Sequence, residues 1–70
     1  MEKVVAEVAA SVWKVLIRPG DHVDPGESLI ILESMKMEIP VEATGGGIVV
    51  ELLVKEGDNV AEGQHVATIG

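Results

Sequence analysis

Gly20-Asp21-His22-Val23-Asp24-Pro25-Gly26, GDHVDPG, recurs as Gly57-Asp58-Asn59-Val60-Ala61-Glu62-Gly63, with both glycines, the aspartate and the valine in register. Outward from this stretch, at the same offset (20 to 57), Val12 falls on Val49, and Val15, Leu16, Ile17 and Leu29 fall on Leu52, Leu53, Val54 and Val66. A G-D-x-V-x-x-G pattern repeated in register is read as a duplicated β motif. Such self-similarity settles the architecture before any single element is assigned. Two copies cannot extend into an open array, so the expected outcome is a closed two-fold arrangement with Lys36, the midpoint of the chain, at the junction.

The turns have a mechanism. In Pro19-Gly20-Asp21 and Pro25-Gly26-Glu27, proline presets φ at the second turn position and glycine takes φ > 0 at the third. They bracket a short segment around Val23. Lys3 to Glu7 and Val12 to Arg18 read as strands, separated by the small residues Ala9, Ala10 and Ser11. Leu29-Ile30-Ile31-Leu32 is four apolar residues in a row, as expected for a strand buried on both sides or at a sheet crossing. Glu33 to Met37 then reads as one arm of a hairpin with its tip near Met35-Lys36, and Glu38 to Ala43 as the return. Pro40 has no N–H to give a ladder, which places the return strand at an edge. Gly45-Gly46-Gly47 reads as a flexible corner. Ile48 to Lys55 repeats the Val12 strand, Glu56-Gly57-Asp58-Asn59 repeats the turn, and His65 to Ile69 closes the second half. No segment carries helical periodicity with caps. The fold class is therefore all-β: a flattened barrel of two small antiparallel four-stranded sheets with pseudo-two-fold symmetry.

Glu33 to Pro40, ESMKMEIP, is preceded by G-D-x-V-x-x-G-x-x-L and followed by G-x-V and the second G-D-x-V-x-x-G. This succession resembles the biotinyl domain of biotin carboxyl carrier proteins, within the biotinyl/lipoyl attachment family. The resemblance covers nearly the whole chain and weakens only in the first few residues. Met35-Lys36-Met37 with Glu33 upstream is its most specific part. It implies that Lys36 is acylated with biotin by a biotin protein ligase. It also implies that the domain shuttles carboxybiotin between the biotin carboxylase and carboxyltransferase sites of a biotin-dependent carboxylase. Met35, Met37 and Glu33 then serve recognition by the ligase and the partners, and the chain is a carrier without catalysis of its own. Lipoyl domains resemble this fold but usually carry Asp-Lys-Ala at the tip, so Met-Lys-Met points to biotin, with lipoate or dual attachment as the alternative. A second alternative is an unmodified β module whose hairpin docks a partner. The family pattern also turns Val12, Val15 and Ile17 inward, a spacing that breaks strict alternation and implies a bulge after Val12. It commonly has glycine where Ala10 stands, as the second half does at Gly47.

Acylation needs a neutral amine, so the ligase is expected to take the proton from Lys36. The chain assembles no nucleophile and base of its own. His22 and His65 lack metal-ligand spacing and read as surface residues, and no metal is expected. The triple glycine lacks a following Lys-Ser/Thr and is a turn rather than a phosphate cradle. Trp13 reads as facing outward beside Val50.

Seventy residues make one domain, residues 1–70. Its 47% apolar content, rich in Val, Ile, Leu and Ala, suits packed strands. The charge of −7, from 12 acids against 5 bases, repels phosphate backbones, and a single Trp without Phe or Tyr provides no stacking platform, so nucleic acid is excluded as a partner. The absence of cysteine suits a reducing compartment. No run reaches membrane-spanning length and the N-terminus has no signal pattern, so the expectation is a cytoplasmic, untargeted protein, monomeric on its own.

Overall fold

A computed structural model describes residues 1–70. Eight strands run in order: β1 (Glu2–Val5), β2 (Ala10–Val15), β3 (His22–Val23), β4 (Ser28–Ser34), β5 (Met37–Glu42), β6 (Gly47–Leu52), β7 (Asn59–Val60) and β8 (His65–Ile69). They form two four-stranded sheets, ordered β1-β8-β6-β3 and β5-β4-β2-β7, with antiparallel pairing throughout. Adding the repeat offset to β1 and β3, and subtracting it from β8 and β6, gives the second sheet strand for strand. The molecule measures 31 × 18 × 18 Å. It contains no helix, and so none long and apolar enough to cross a membrane.

The core repeats the symmetry. Its 16 buried apolar residues pair completely across the offset: Val4 with Val41, Ala6 with Ala43, Val12 with Val49, Ile17 with Val54, Val23 with Val60, Leu29 with Val66, Ile30 with Ala67 and Leu32 with Ile69. The repeat thus reaches back to Val4, further than the glycine motif suggests. At about 25 cal/mol per Å² of apolar surface removed from water, these side chains supply the main stabilisation of the chain.

Hydrogen bonds tie each half to the other in matched pairs. Gly20 N donates to Val49 O (2.8 Å) and Gly57 N to Val12 O (2.9 Å); Val49 N donates to Asp21 O (2.8 Å) and Val12 N to Asp58 O (2.8 Å). The turns that do this close on themselves. Asp21 N donates to Arg18 O (3.0 Å) with Gly20 at φ 96°, and Asp58 N donates to Lys55 O (3.1 Å) with Gly57 at φ 95°. Each aspartate carboxylate also accepts from the backbone N–H of the residue three before it, at 2.9 Å in both copies. A Cβ at Gly20 or Gly57 would touch nothing within 4 Å, so it is the left-handed backbone that calls for glycine there.

The bulge expected after Val12 is present, as a register shift between Val12 and Lys14, and its repeat lies between Val49 and Glu51. Another shift, between Ser28 and Ile30, lets Leu29 and Ile30 both turn inward. Pro40 lies on β5, an edge strand as expected.

Several expectations need correcting. β1 spans Glu2–Val5 and β2 Ala10–Val15, each shifted toward the N-terminus; after β2 the chain makes one more backbone bond, Leu16 N to Leu29 O (2.9 Å), and buries Ile17. Val15 is only half-buried, whereas Val12 and Ile17 are in the core. Trp13 is exposed (43%) with Lys14 Nζ 5.3 Å from its ring centroid. It stands on β2 and Val50 on β6, in different sheets, so they are symmetry equivalents rather than neighbours. His65 is not a free surface histidine: its Nε2 lies 2.8 Å from Thr68 Oγ1 and 2.9 Å from Ala67 O, and the Thr68 hydroxyl lies 3.0 Å from Glu51 Oε1. The glycine corner is tied down. Glu2 accepts from Thr44 N (3.0 Å), Thr44 Oγ1 (2.8 Å) and Gly45 N (3.1 Å), and a Cβ on Gly47 would stand 2.2 Å from Gly70 O.

Candidate functional site

β4 and β5 form a hairpin whose last ladder pairs are Glu33 with Glu38 and Ser34 with Met37. Only Met35 and Lys36 remain to turn the chain. A two-residue loop favours a mirror-image turn, with φ > 0 at both positions (type I′) or at the first (type II′), because these match the right-handed twist of the strands. Met35 adopts φ 53° and Lys36 φ 66°, the only non-glycine residues in the chain with positive φ. Asn-Gly is the usual solution; Met-Lys takes the same geometry at a cost of roughly 1–2 kcal/mol per residue. Strain of this kind persists where the surroundings dictate it, here a seven-residue β4 paired with β5 up to Ser34 and with β2 from Ile30 to Glu33.

The site residues read from the sequence come together at this tip. Lys36 is exposed and makes neither a hydrogen bond nor an ion pair. Met35 is 91% exposed and Met37 64%. Glu33 and Glu38, directly opposite each other across the ladder, are both exposed, and neither bridges to Lys36. Like charges placed opposite on adjacent strands destabilise by a few tenths of a kcal/mol. The hairpin thus combines backbone strain, a like-charge pair and bare thioethers around one unencumbered amine. Its base, by contrast, is Leu32, which is 1% exposed.

The opposite pole is built by the same rule. β8 and β1 are the equivalents of β4 and β5, so the place corresponding to the tip is occupied by Gly70 and Met1. The Met35-Lys36 turn and residues Met1 and Gly70 thus stand at symmetry-equivalent places. No group of three His, Cys, Asp or Glu side chains is arranged to hold a metal. A shallow groove between the edge strands β1 and β5, floored by Val4, Leu32 and Val41, lies on the flank and not at the tip.

What the sequence did not reveal is the left-handed turn itself, since Met and Lys carry no turn preference; the usable signal was the even spacing of partners on either side of Met35-Lys36. Glu2 was also missed as the clamp on the corner.

Known proteins agree with this geometry. Residues 2–69 match the Biotin_lipoyl family, described as "Biotin-requiring enzyme". The chain is 51% identical over 57 residues to the Biotin/lipoyl attachment protein of Bacillus subtilis, covering 81% of this chain and 78% of that one. It is 47% identical over 68 residues to the Biotinylated protein TB7.3 homolog of Mycobacterium leprae, covering 97% and 96%. Among solved structures, the urea carboxylase of Kluyveromyces lactis superposes with a TM-score of 0.93 at 42% identity, over 99% of this chain and 6% of that much longer one. The chain belongs to the Biotin_lipoyl family and is a biotinyl attachment domain, a carrier with no catalytic activity of its own.

Proposed function

We propose that Lys36 is the acceptor of covalent biotin, added by a biotin protein ligase, and that residues 1–70 act as one carrier domain serving a biotin carboxylase and a carboxyltransferase in the cytoplasm. The observation that carries this reading is an exposed, unpaired amine at the tip of a two-residue hairpin whose base is buried. Biotin fits such a site because attachment through an amide asks of the carrier only a reachable nitrogen and no surrounding pocket. Once attached, biotin supplies a ureido nitrogen that takes up and gives away a carboxyl group.

Attachment follows from the chain's own groups. Lys36 Nζ, once its proton has passed to a base of the ligase, attacks the acyl carbon of biotinyl-adenylate. The C–N bond forms, the acyl–oxygen bond to phosphate breaks, and AMP leaves. The stiff two-residue turn holds Cα of Lys36 while the four methylenes of its side chain stay free, so the arm sweeps a shell around a fixed point. Tethering raises the effective concentration of the cofactor wherever that arm reaches. Glu33 and Glu38 set a negative collar below the amine, and Met35 and Met37 offer adaptable apolar surface to successive partners.

Intact mass after co-expression with a biotin ligase tests the reading. The wild type is expected to gain one biotinyl group and Lys36→Arg none; an unmodified wild type would overturn it. A lipoyl reading is favoured by one observation, the name of the Bacillus subtilis relative, which covers both cofactors. Supplying cells with both and weighing the product separates the two.

A further inference from the structure

The chain has three methionines, and all are exposed: Met1 at 95%, Met35 at 91% and Met37 at 64%. None is among the 16 buried apolar residues. This reverses the usual use of methionine as a flexible core filler. Two of the three flank the candidate acceptor lysine. With no cysteine in the chain, the thioethers are its peroxide-reactive sulfurs.

Met35 has nowhere to retreat. It lies beyond the last ladder pair, Ser34 with Met37, and its backbone is held at φ 53°. Met37 begins β5, the edge strand, with the same tip above it. We propose that Met35 and Met37 form a reversible oxidation site that governs acylation of Lys36. This inference rests on the acceptor role proposed for Lys36.

The step needs only a hydroperoxide. A sulfur lone pair attacks the terminal peroxide oxygen; the S–O bond forms and the O–O bond breaks. The sulfur, oxidised by two electrons, becomes a sulfoxide, and hydrogen peroxide leaves as water. Reversal by a methionine sulfoxide reductase returns two electrons from a dithiol, which becomes a disulfide as the oxygen departs as water.

The position of these sulfurs separates function from folding. On the free domain the sulfoxide oxygens are solvated and no core contact is lost, so stability is untouched. When the ligase closes over the tip, a strong dipole must be desolvated where a thioether was not, and a polar group buried without a partner is costly. Oxidation therefore slows the encounter with the ligase and leaves the fold alone.

The test uses the full chain prepared without biotin and treated with hydrogen peroxide. Peptide mass mapping locates the sulfoxides, with Met1 as an internal measure of unrestricted access, and initial rates of acylation by a biotin ligase are then compared. Expected are sulfoxides at Met35 and Met37 alongside Met1, an unchanged unfolding midpoint, and acylation about tenfold slower, equivalent to ~1.4 kcal/mol. Reductase treatment is expected to restore the rate. Met35→Leu with Met37→Leu is expected to keep its own rate after peroxide although Met1 is oxidised. Three results overturn the inference: an unchanged rate in the oxidised protein, a loss that the reductase does not reverse, as oxidation of Trp13 would give, or an equal loss in the leucine variant. Should that variant be a poor substrate before treatment, reductase rescue of the wild type decides alone. Untreated protein that takes up no biotin overturns the acceptor reading and this inference with it, whereas equal uptake before and after oxidation overturns only the inference.

Discussion

Met35 and Lys36 hold a backbone conformation that asparagine and glycine adopt with little cost, and the chain keeps Met and Lys there. Replacing the pair, Met35→Asn with Lys36→Gly, removes the strain of two left-handed L-residues. With about 1–2 kcal/mol relieved at each of two positions and about 1 kcal/mol returned by the unfolded-state freedom of glycine, the double variant is expected to be about 1–3 kcal/mol more stable in urea unfolding and to take no biotin. A stability equal to or below the wild type would show that the turn is not strained. Under the proposed role of Lys36, the tip is where local rules yield to function. Gly47 is the opposite case. A methyl group there would press into Gly70 O at 2.2 Å and Ile69 Cγ2 at 3.0 Å, so Gly47→Ala is expected to cost roughly 1–3 kcal/mol. Gly45→Ala, whose nearest neighbour is Glu2 Oε1 at 3.9 Å, serves as the tolerated control. At Ala10, the equivalent of Gly47, no positive φ occurs, which explains how the first half does without a glycine.

Among elements, the corner between β5 and β6 is held by β1. The carboxylate of Glu2 accepts hydrogen bonds foremost from the Thr44 backbone, with Gly45 N and the Thr44 hydroxyl adding to it, and these outweigh partial burial to hold its pKa below the ordinary carboxylate value. Because the folded-state pKa is the lower one, the stabilisation from Glu2 is fully present above the unfolded-state carboxylate pKa. It is lost as pH falls through the lowered folded value. Glu2→Gln is expected to lower stability by about 1 kcal/mol at neutral pH, a difference that shrinks in acid. Thermal melts of both proteins across the acid range check this; a gap that stays constant would place the effect outside the titration of Glu2. The second clamp, His65 with Thr68 and Glu51, has no counterpart in the first half, where Ser28, Ile31 and Lys14 stand instead. Thr68→Val leaves the partly buried His65 and the exposed Glu51 without their shared hydroxyl and is expected to cost about 1 kcal/mol by the same measurement.

For the whole molecule, the paired core and the reciprocal bonds mean that neither half completes its own strands. Val12 relies on Asp58 and Val49 on Asp21. Separate fragments 1–43 and 44–70 are therefore expected to be unfolded singly and to regain β structure on mixing, as read by circular dichroism. A folded single fragment would contradict the interlocked description. By the same symmetry, the Met35-Lys36 hairpin joining β4 and β5 corresponds to the place of Met1 and Gly70 beside β1 and β8.

How much of this was legible in the sequence depends on how far apart the interacting groups lie. The glycine turns, the edge position of Pro40 and the hairpin centred on Met35-Lys36 could all be read, because each depends on a residue's own backbone freedom or its immediate neighbours; the bulge after Val12 followed from the family resemblance. The duplicated G-D-x-V-x-x-G determined a two-fold all-β frame with Lys36 midway. Only the tertiary structure decided that Gly20 bonds to Val49 and Gly57 to Val12, that Glu2 secures Thr44 and Gly45, that His65 is engaged, and that Met35 and Lys36 turn left-handed. The partners of Gly20 and Gly57 lie 29 and 45 residues away and that of Glu2 lies 42 away, so they meet only when both sheets close on one core; His65 and the Met35-Lys36 turn are local, and there the Thr68 bond to Glu51 on β6 and the ladder register of β4 with β5 decide.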